Sequence, residues 1–262
     1  MLPPLGGTVP KLQTTPLPAA VWEALAQNGY VVVPNWLNAL AVDQVRDDAM
    51  RCHEAGLPRQ AGVGSTRTGA TAVRHDEEVR RSAMLPLIPP PRPSAGCVNT
   101  RMALTEAMRG LCDEVQLAAD LLDMPRLSPF SMELAYLYYP KGGRYLRHVD
   151  VPAHNGGWVR SGRSEADGGS FIGHATRREI SVLLYLNRGW ERSSGGELRI
   201  FPADAEHDSR SGEPSMEPSV DVLPEGGSLV LMRSDRVPHE VMPTWRERQC
   251  VVGWFRSERT KR

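Results

Sequence analysis

The sequence predicts an α+β fold, with helices first and then a sandwich or barrel of many short strands. Three observations carry this. In the first half, apolar residues recur at helical spacing in three stretches. From residue 131 the pattern changes to short β-branched and aromatic runs that follow one another closely. The breaks between those runs, "PKGG", "SSGG" and "PEGG", hold the glycine and proline that tight turns need. Helices followed by strands is the order of an α+β domain, and no internal repeat interrupts it.

Taken in order, "PAAVWEALAQNG" starts a helix after Pro18 and stops it at Gly29, with Val21, Leu25 and Ala26 on one face. "YVVVP" is a short strand. "NALAVDQVRDDAMRCHEAG" places Ala41, Val45, Ala49 and Cys52 on one helical stripe and ends at Gly56. "RQAGVGSTRTGATAVRHDEEVRR" is Gly/Thr/Arg-rich and predicts a mobile loop or loose hairpin, and the proline run "PLIPPPRPS" must be extended. A helix resumes in "TEAMRGLCDEVQLAADLLDM", with Leu111, Val115, Ala118 and Leu122 in line, so the stretch between is a surface excursion of one domain. The predicted strands are "MELAYLYY", "RYLRHVD", "ISVLLYLN", "GELRIFP", "GSLVLMRS", "HEVM" and "RQCVVGWF".

Composition narrows the function classes. The 262 residues are 40% hydrophobic and 24% charged, ordinary for a globular chain, and Lys+Arg equals Asp+Glu at 31 each. Nothing in bulk charge draws the chain to nucleic acid or a membrane surface, and no run of about 18 apolar residues exists to span one. Cys52, Cys97, Cys112 and Cys250 are far apart with no C-x-x-C pair, which points away from a disulfide framework or structural zinc and toward a reducing compartment. "MLPPLGGTVPKLQTTPLP" lacks the form of a secretory signal. Residues 1–16 are expected to be a disordered arm, residues 17–262 a single domain, and the location cytoplasmic, with the nucleus as the alternative. A monomer is expected.

The chemistry starts at "RYLRHVD". In a strand, residues two apart face the same way, so His148 and Asp150 project to one side with Cα atoms roughly 7 Å apart. "SDRVPHEVMP" offers His239 as a third ligand, on a short strand after a proline that enforces extension. Two histidines and one carboxylate form the facial triad of non-haem Fe(II) enzymes, which leaves coordination positions open for substrate and oxygen. H-x-D alone is a weak signal. Arg248 adds to it: Cys250, Val252 and Trp254 share its parity, so it lies on an apolar face, where a guanidinium needs an anion. The competing reading puts Arg248 on the solvent face.

Four ordered segments, "YYPKGGRYLRHVDVP", "LLYLNRGW", "GGELRIFP" and "SDRVPHEVMPTWRERQCVVGWF", resemble those of the 2-oxoglutarate and Fe(II)-dependent oxygenases. They look most like the prolyl 4-hydroxylases that act on hypoxia-inducible factor. "NGYVVVPNWL" and "VRHDEEV" are similar to the N-terminal half of that family, the second to an Arg-x-Asp element after its mobile loop. The resemblance implies a double-stranded β-helix (jelly roll) over about 130–256, supported by the N-terminal helices.

It also implies roles. His148, Asp150 and His239 would hold Fe(2+) and form the catalytic centre. Arg248 and Tyr185 would bind the far carboxylate of 2-oxoglutarate, and Tyr139 would line the same pocket with Trp254 and Leu198 as walls. Collagen-type enzymes place a lysine where this chain has Arg248. O2 and 2-oxoglutarate would be consumed, with ascorbate as reductant, to hydroxylate a prolyl residue of a protein or peptide and release succinate and CO2. Arg178, Trp254, Arg74 and Asp76 are candidate substrate contacts; a solvated strand-edge arginine and a surface Arg74–Asp76 salt bridge are the structural alternatives. His154, His174 and His207 have no assigned role; Trp158 is expected to anchor a loop and Cys250 to be a small core residue.

Two departures from the family bear on the substrate. Residues 151–179 form a long insertion beside the expected active-site mouth, and the chain stops soon after "WFRSERTKR". Three other readings stand beside prolyl hydroxylation: the same chemistry on a free amino acid or another side chain, a jelly-roll binding module without turnover, and a zinc hydrolase. The last leaves Arg248 and Tyr185 without a task.

Overall fold

The computed structural model describes residues 11–64, 73–91, 95–128, 131–151, 154–161, 174–202 and 220–259. Helix α1 (Ala19–Asn28) ends at Gly29, whose φ of 77° turns the chain left-handed while its N–H still reaches the Leu25 carbonyl. Asn38 caps helix α2 (Ala39–Glu54), its side-chain oxygen accepting the Ala41 N–H at 2.9 Å. Helix α3 (Val98–Leu117) starts earlier than its apolar stripe predicts. The reason is tertiary: Asp48 of α2 accepts the Cys97 N–H and a 2.7 Å ion pair from Arg101, which fastens the first turn of α3 to α2.

The strands are β1 (Tyr30–Val33), β2 (Arg59–Gln60), β3 (Val63–Gly64), β4 (Val73–Arg74), β5 (Arg80–Arg81), β6 (Ala83–Pro86), β7 (Glu133–Tyr139), β8 (Arg144–His148), β9 (Val159–Ser161) and β10 (His174–Tyr185). They continue with β11 (Leu198–Ile200), β12 (Val220–Val222), β13 (Leu229–Arg233), β14 (His239–Val241) and β15 (Arg248–Arg259). The larger sheet runs β1-β13-β10-β15-β7-β6-β2, with β9 added to β10; the smaller runs β12-β11-β14-β8-β5; β3 and β4 pair by themselves. Pairing between these strands is antiparallel. Two facing antiparallel sheets with few helices are consistent with the expected jelly roll.

Side-chain parity divides the larger sheet into two cores. Ile180, Val182 and Leu184 of β10, Leu229 and Leu231 of β13, and Val251 and Phe255 of β15 pack with the helices. Their neighbours Leu183, Tyr185, Val230, Met232, Cys250, Val252 and Trp254 pack with Leu198, Ile200, Val222 and Val241 of the smaller sheet. A sheet buried on both faces reads as continuous apolar runs, which is why "ISVLLYLN" and "GSLVLMRS" show little alternation. On the helix side, Tyr136 donates a 2.6 Å hydrogen bond to Asp48, and Tyr138 donates to the Ala49 carbonyl.

Three stretches differ from expectation or fall partly outside the described residues. Of the expected arm, residues 1–10 lie outside; Leu12 is buried and Thr14 bridges Leu37. Of the expected loop or hairpin, residues 65–72 lie outside. Its flanks form β3 and β4, and the chain beyond enters β6, a strand that the proline-rich neighbourhood hid from sequence reading. Of the expected insertion, residues 152–153 and 162–173 lie outside, while β10 already begins at His174 and β9 folds back on it through Thr176↔Val159. Among the described residues no helix is long and apolar enough to cross a membrane.

Candidate active site

His148 ends β8 and His239 opens β14, and the two are direct cross-strand partners in the smaller sheet. Asp150 follows β8 by two residues, so the strand period turns it to the same side as His148. The Nε2 of His148 lies 3.6 Å from Asp150 Oδ1, the Nε2 of His239 lies 3.8 Å from Asp150 Oδ2, and one ligand atom from each residue falls within 4.8 Å of the others. That spacing suits three donors around one ion.

The backbone sets the tautomers. His148 Nδ1 is 2.8 Å from the Leu146 carbonyl, and His239 Nδ1 is 3.0 Å from the Val237 carbonyl. A carbonyl oxygen can only accept, so each Nδ1 carries the proton and each Nε2 presents a lone pair. Burial, helped by the neighbouring His148, pushes His239 down to about 4 despite the opposing pull of Asp150, so it is neutral at pH 7. Burial alone would raise Asp150; its neighbours His148, His239 and Arg178 outweigh it and hold the carboxyl well below its usual range. A neutral His239 and an ionised Asp150 are protonation states a metal site requires.

Further along β10, on the face that carries Ser181 and Leu183, Tyr185 meets Arg248 of β15. Arg248 is 0% exposed. Its Nε donates to the Gly196 carbonyl at 2.9 Å and its Nη1 to Cys250 Sγ at 3.6 Å, while its guanidinium carbon sits 4.9 Å from the Tyr139 ring centre and 5.1 Å from that of Tyr185. Arg248 Nη2 and Tyr185 Oη are buried and find no partner among the described residues. Burial raises the Tyr139, Tyr185 and Cys250 groups, Tyr139 to about 12, so all three stay protonated and none supplies a counter-charge. Gly196, at φ 74°, makes room: a Cβ there would lie 3.1 Å from Arg248 Cδ and 2.9 Å from Thr244 Cβ. A buried guanidinium with an open nitrogen beside an open phenol fits the carboxylate end of a small acid.

The 2OG-Fe(II) oxygenase superfamily profile matches residues 134–256, which span both sheets' site-bearing strands. Over this stretch the chain is similar to the 2OG-Fe(II) oxygenases. Over 262 residues the chain is 25% identical to rat Egl nine homolog 1, covering 97% of this chain and 64% of that relative, so it spans under two thirds of the relative's length. A Pseudomonas putida prolyl-4-hydroxylase structure superimposes with TM-score 0.60 and 28% identity, over 91% of this chain and 98% of that one. A Trichoplax adhaerens prolyl hydroxylase, solved with a peptide fragment of hypoxia inducible factor, shares the fold with TM-score 0.64 and 21% identity over 90% and 86% of the two chains.

The two sheets bring together His148, Asp150 and His239, and separately Arg248, Tyr185 and Tyr139, with Leu198 buried in the same inter-sheet core. Arg178 lies close enough for its charge to act on Asp150. It is engaged by Glu133 through two hydrogen bonds, of 3.0 and 2.6 Å, and stacked 3.6 Å above the Trp254 ring, whose buried Nε1 has no partner among the described residues. Asp76 accepts the Glu78 N–H at 3.1 Å in a turn before β5, and Arg74 lies in β4 opposite Val63; neither contact involves the triad. His207 lies outside the described residues. A cavity of about 410 Å³ at the ends of β7 and β15 is bordered by His53, Tyr138 and Gln249 and also by Tyr139 and Arg248.

Sequence reading missed Ser181, Ser234, Tyr145 and Glu133. Ser181 donates to Asp150 Oδ2 at 2.6 Å, and Tyr145 stacks on His148 at 3.6 Å. One signal was available: a lone hydroxyl inside the apolar run "ISVLLY" must find a partner when buried.

Proposed function

We propose that this chain is an Fe(II)- and 2-oxoglutarate-dependent dioxygenase that hydroxylates a prolyl residue in a protein or peptide. The observation that supports it most is the pairing of a three-donor centre with a buried arginine that no described residue supplies with an anion, both on the inward side of the same two sheets. In this reading residues 17–262 work as one catalytic unit and the helices brace the back of a double-stranded β-helix.

His148 Nε2, His239 Nε2 and Asp150 would hold the iron. Arg248 would bind the distal carboxylate of 2-oxoglutarate, with Tyr185 donating its hydroxyl proton to the same group; both orphaned atoms would then be satisfied. Tyr139, Leu183, Leu198 and Val252 wall the space between the sheets and would keep water from it. Iron with 2-oxoglutarate and O2 supplies oxidative decarboxylation to succinate and CO2 and delivers one oxygen atom to a C–H bond, with ascorbate returning stray ferric iron to the ferrous state. The peptide would approach across the exposed Leu146 and Val149 beside His148, at the edge formed by Arg178 and Trp254. Prolyl specificity draws its support from the names of the relatives.

The test is a turnover assay with Fe(II), ascorbate and 2-oxoglutarate against proline-containing peptides. It follows succinate release and, by mass spectrometry, the gain of one oxygen atom. Succinate formation that depends on such a peptide supports the proposal. Iron and 2-oxoglutarate binding without turnover on any peptide would instead favour a binding module, and turnover on a free amino acid would move the substrate class.

A further inference from the structure

We infer that Ser181 and Ser234 are positioning residues for the metal-binding carboxylate: a two-hydroxyl relay that commits one oxygen of Asp150 to the protein and turns the other to the ion. The inference rests on reading His148, Asp150 and His239 as metal ligands.

Ser181 lies between Ile180 and Val182 in β10, and Ser234 is the first residue past β13. They are 0% and 2% exposed, and a buried hydroxyl is costly unless it is bonded. Ser181 Oγ lies 2.6 Å from Asp150 Oδ2 and 2.7 Å from Ser234 Oγ. The direction of this chain follows from counting protons. An ionised carboxylate only accepts, so the single hydroxyl proton of Ser181 goes to Asp150. Ser181 Oγ is then free only to accept from Ser234, and the relay runs Ser234 to Ser181 to Asp150.

Ser234 is itself pinned by the backbone. Its N–H donates at 3.0 Å to the Glu179 carbonyl, at the point where β10 shifts register against β15 between Arg178 and Ile180. Its own carbonyl accepts at 3.1 Å from the N–H of Val151, the residue after Asp150. Ser234 therefore ties the strand that carries Ser181 to the chain that carries Asp150, and the hydroxyl pair inherits that geometry. With Oδ2 engaged by a short hydrogen bond, Oδ1 keeps the more available lone pair, 3.6 Å from His148 Nε2. Partners of this kind around a ligating side chain commonly govern metal affinity.

The test uses the full chain and Co(II), titrated calorimetrically and by its visible absorption band, with wild type, Ser181→Ala, Ser181→Thr and Ser234→Ala. Ser181→Ala should weaken Co(II) binding about 10- to 100-fold and alter the band, and Ser234→Ala should do so to a smaller degree. Ser181→Thr, which keeps the hydroxyl, should bind within a few-fold of wild type. Circular dichroism of each metal-free variant checks the fold, and Ser234→Ala carries the test if Ser181→Ala does not fold. Folded alanine variants with wild-type affinity and an unchanged band would overturn the inference, as would a threonine variant no better than alanine. Wild-type protein that fails to bind Co(II) would instead remove the metal reading itself, and the relay with it.

Discussion

Arg248 and Tyr185 face each other inside the fold, guanidinium carbon 5.1 Å from ring centre, and each ends in a buried polar atom that no described residue satisfies. The pair is a charged donor and a neutral donor aimed at one place. Such an arrangement lowers stability and favours an anion, so binding and folding should respond to it in opposite directions.

Replacing Arg248 with Met should therefore separate the two. Loss of the guanidinium should weaken 2-oxoglutarate binding by about 2–5 kcal/mol, roughly tens- to thousands-fold. The metal-free protein should melt no lower than wild type, because an uncompensated buried cation has been removed. Calorimetric titration and thermal melts report both; a variant that binds the keto acid normally would take Arg248 out of the pocket.

Tyr185→Phe removes one hydrogen bond to a carboxylate and should cost about 1.5–3 kcal/mol of 2-oxoglutarate affinity, less than the arginine loss. Its stability should be equal or slightly higher, since the orphaned hydroxyl leaves with the substitution. A drop as large as that of the arginine variant would mean that Tyr185 does more than donate to the carboxylate.

Asp150→Ala should abolish turnover and metal binding together. It removes the sole carboxylate of the centre and leaves two imidazoles, too few to hold the ion in place. Activity that survives this change would end the facial-triad reading.

Asp48 should matter for folding and not for chemistry. It is buried, pairs with Arg101 at 2.7 Å and accepts from Tyr136 at 2.6 Å. Asp48→Ala leaves the Arg101 charge buried without its partner, and should cost about 3–5 kcal/mol in urea unfolding. A loss below about 1 kcal/mol would show that the α2–α3 junction is held by apolar packing alone.

Glu179 gives a pH dependence. It is fully buried, and burial raises its pKa above 4.5 against the lowering effects of the Ser257 hydrogen bond and the Arg177 charge. The folded state thus holds this proton more tightly than the unfolded chain. Its stabilising contribution is full below the unfolded pKa and is lost as pH rises through the folded value. Glu179→Gln cannot ionise, so it should gain stability relative to wild type as pH rises from about 4.5 to 7. Urea unfolding at several pH values checks this, and a trend of the opposite sign would contradict it.

Much of this was readable in the order of residues. Gly29 marks the end of α1, and the two-residue period puts His148 and Asp150 on one side. The parity of Arg248 with Cys250, Val252 and Trp254 placed it on an apolar face, and all four lie in the inter-sheet side of β15. Strand β6 was hidden by its prolines, and the early start of α3 by an ion pair to another helix. Ser234 carried no local signal because its partners come from β10 and from the chain after β8.

The amino-acid order alone determined the helices, most of the strands, and which side chains share a face, because those depend on periods of 3.6 and 2 within short segments. The tertiary structure decided that His239 stands across from His148, that Ser181 reaches Asp150, and that Arg248 lies between two tyrosines. Those relations join strands far apart in the chain, and strand register follows from how both faces of a sheet are packed, not from any one strand's own pattern.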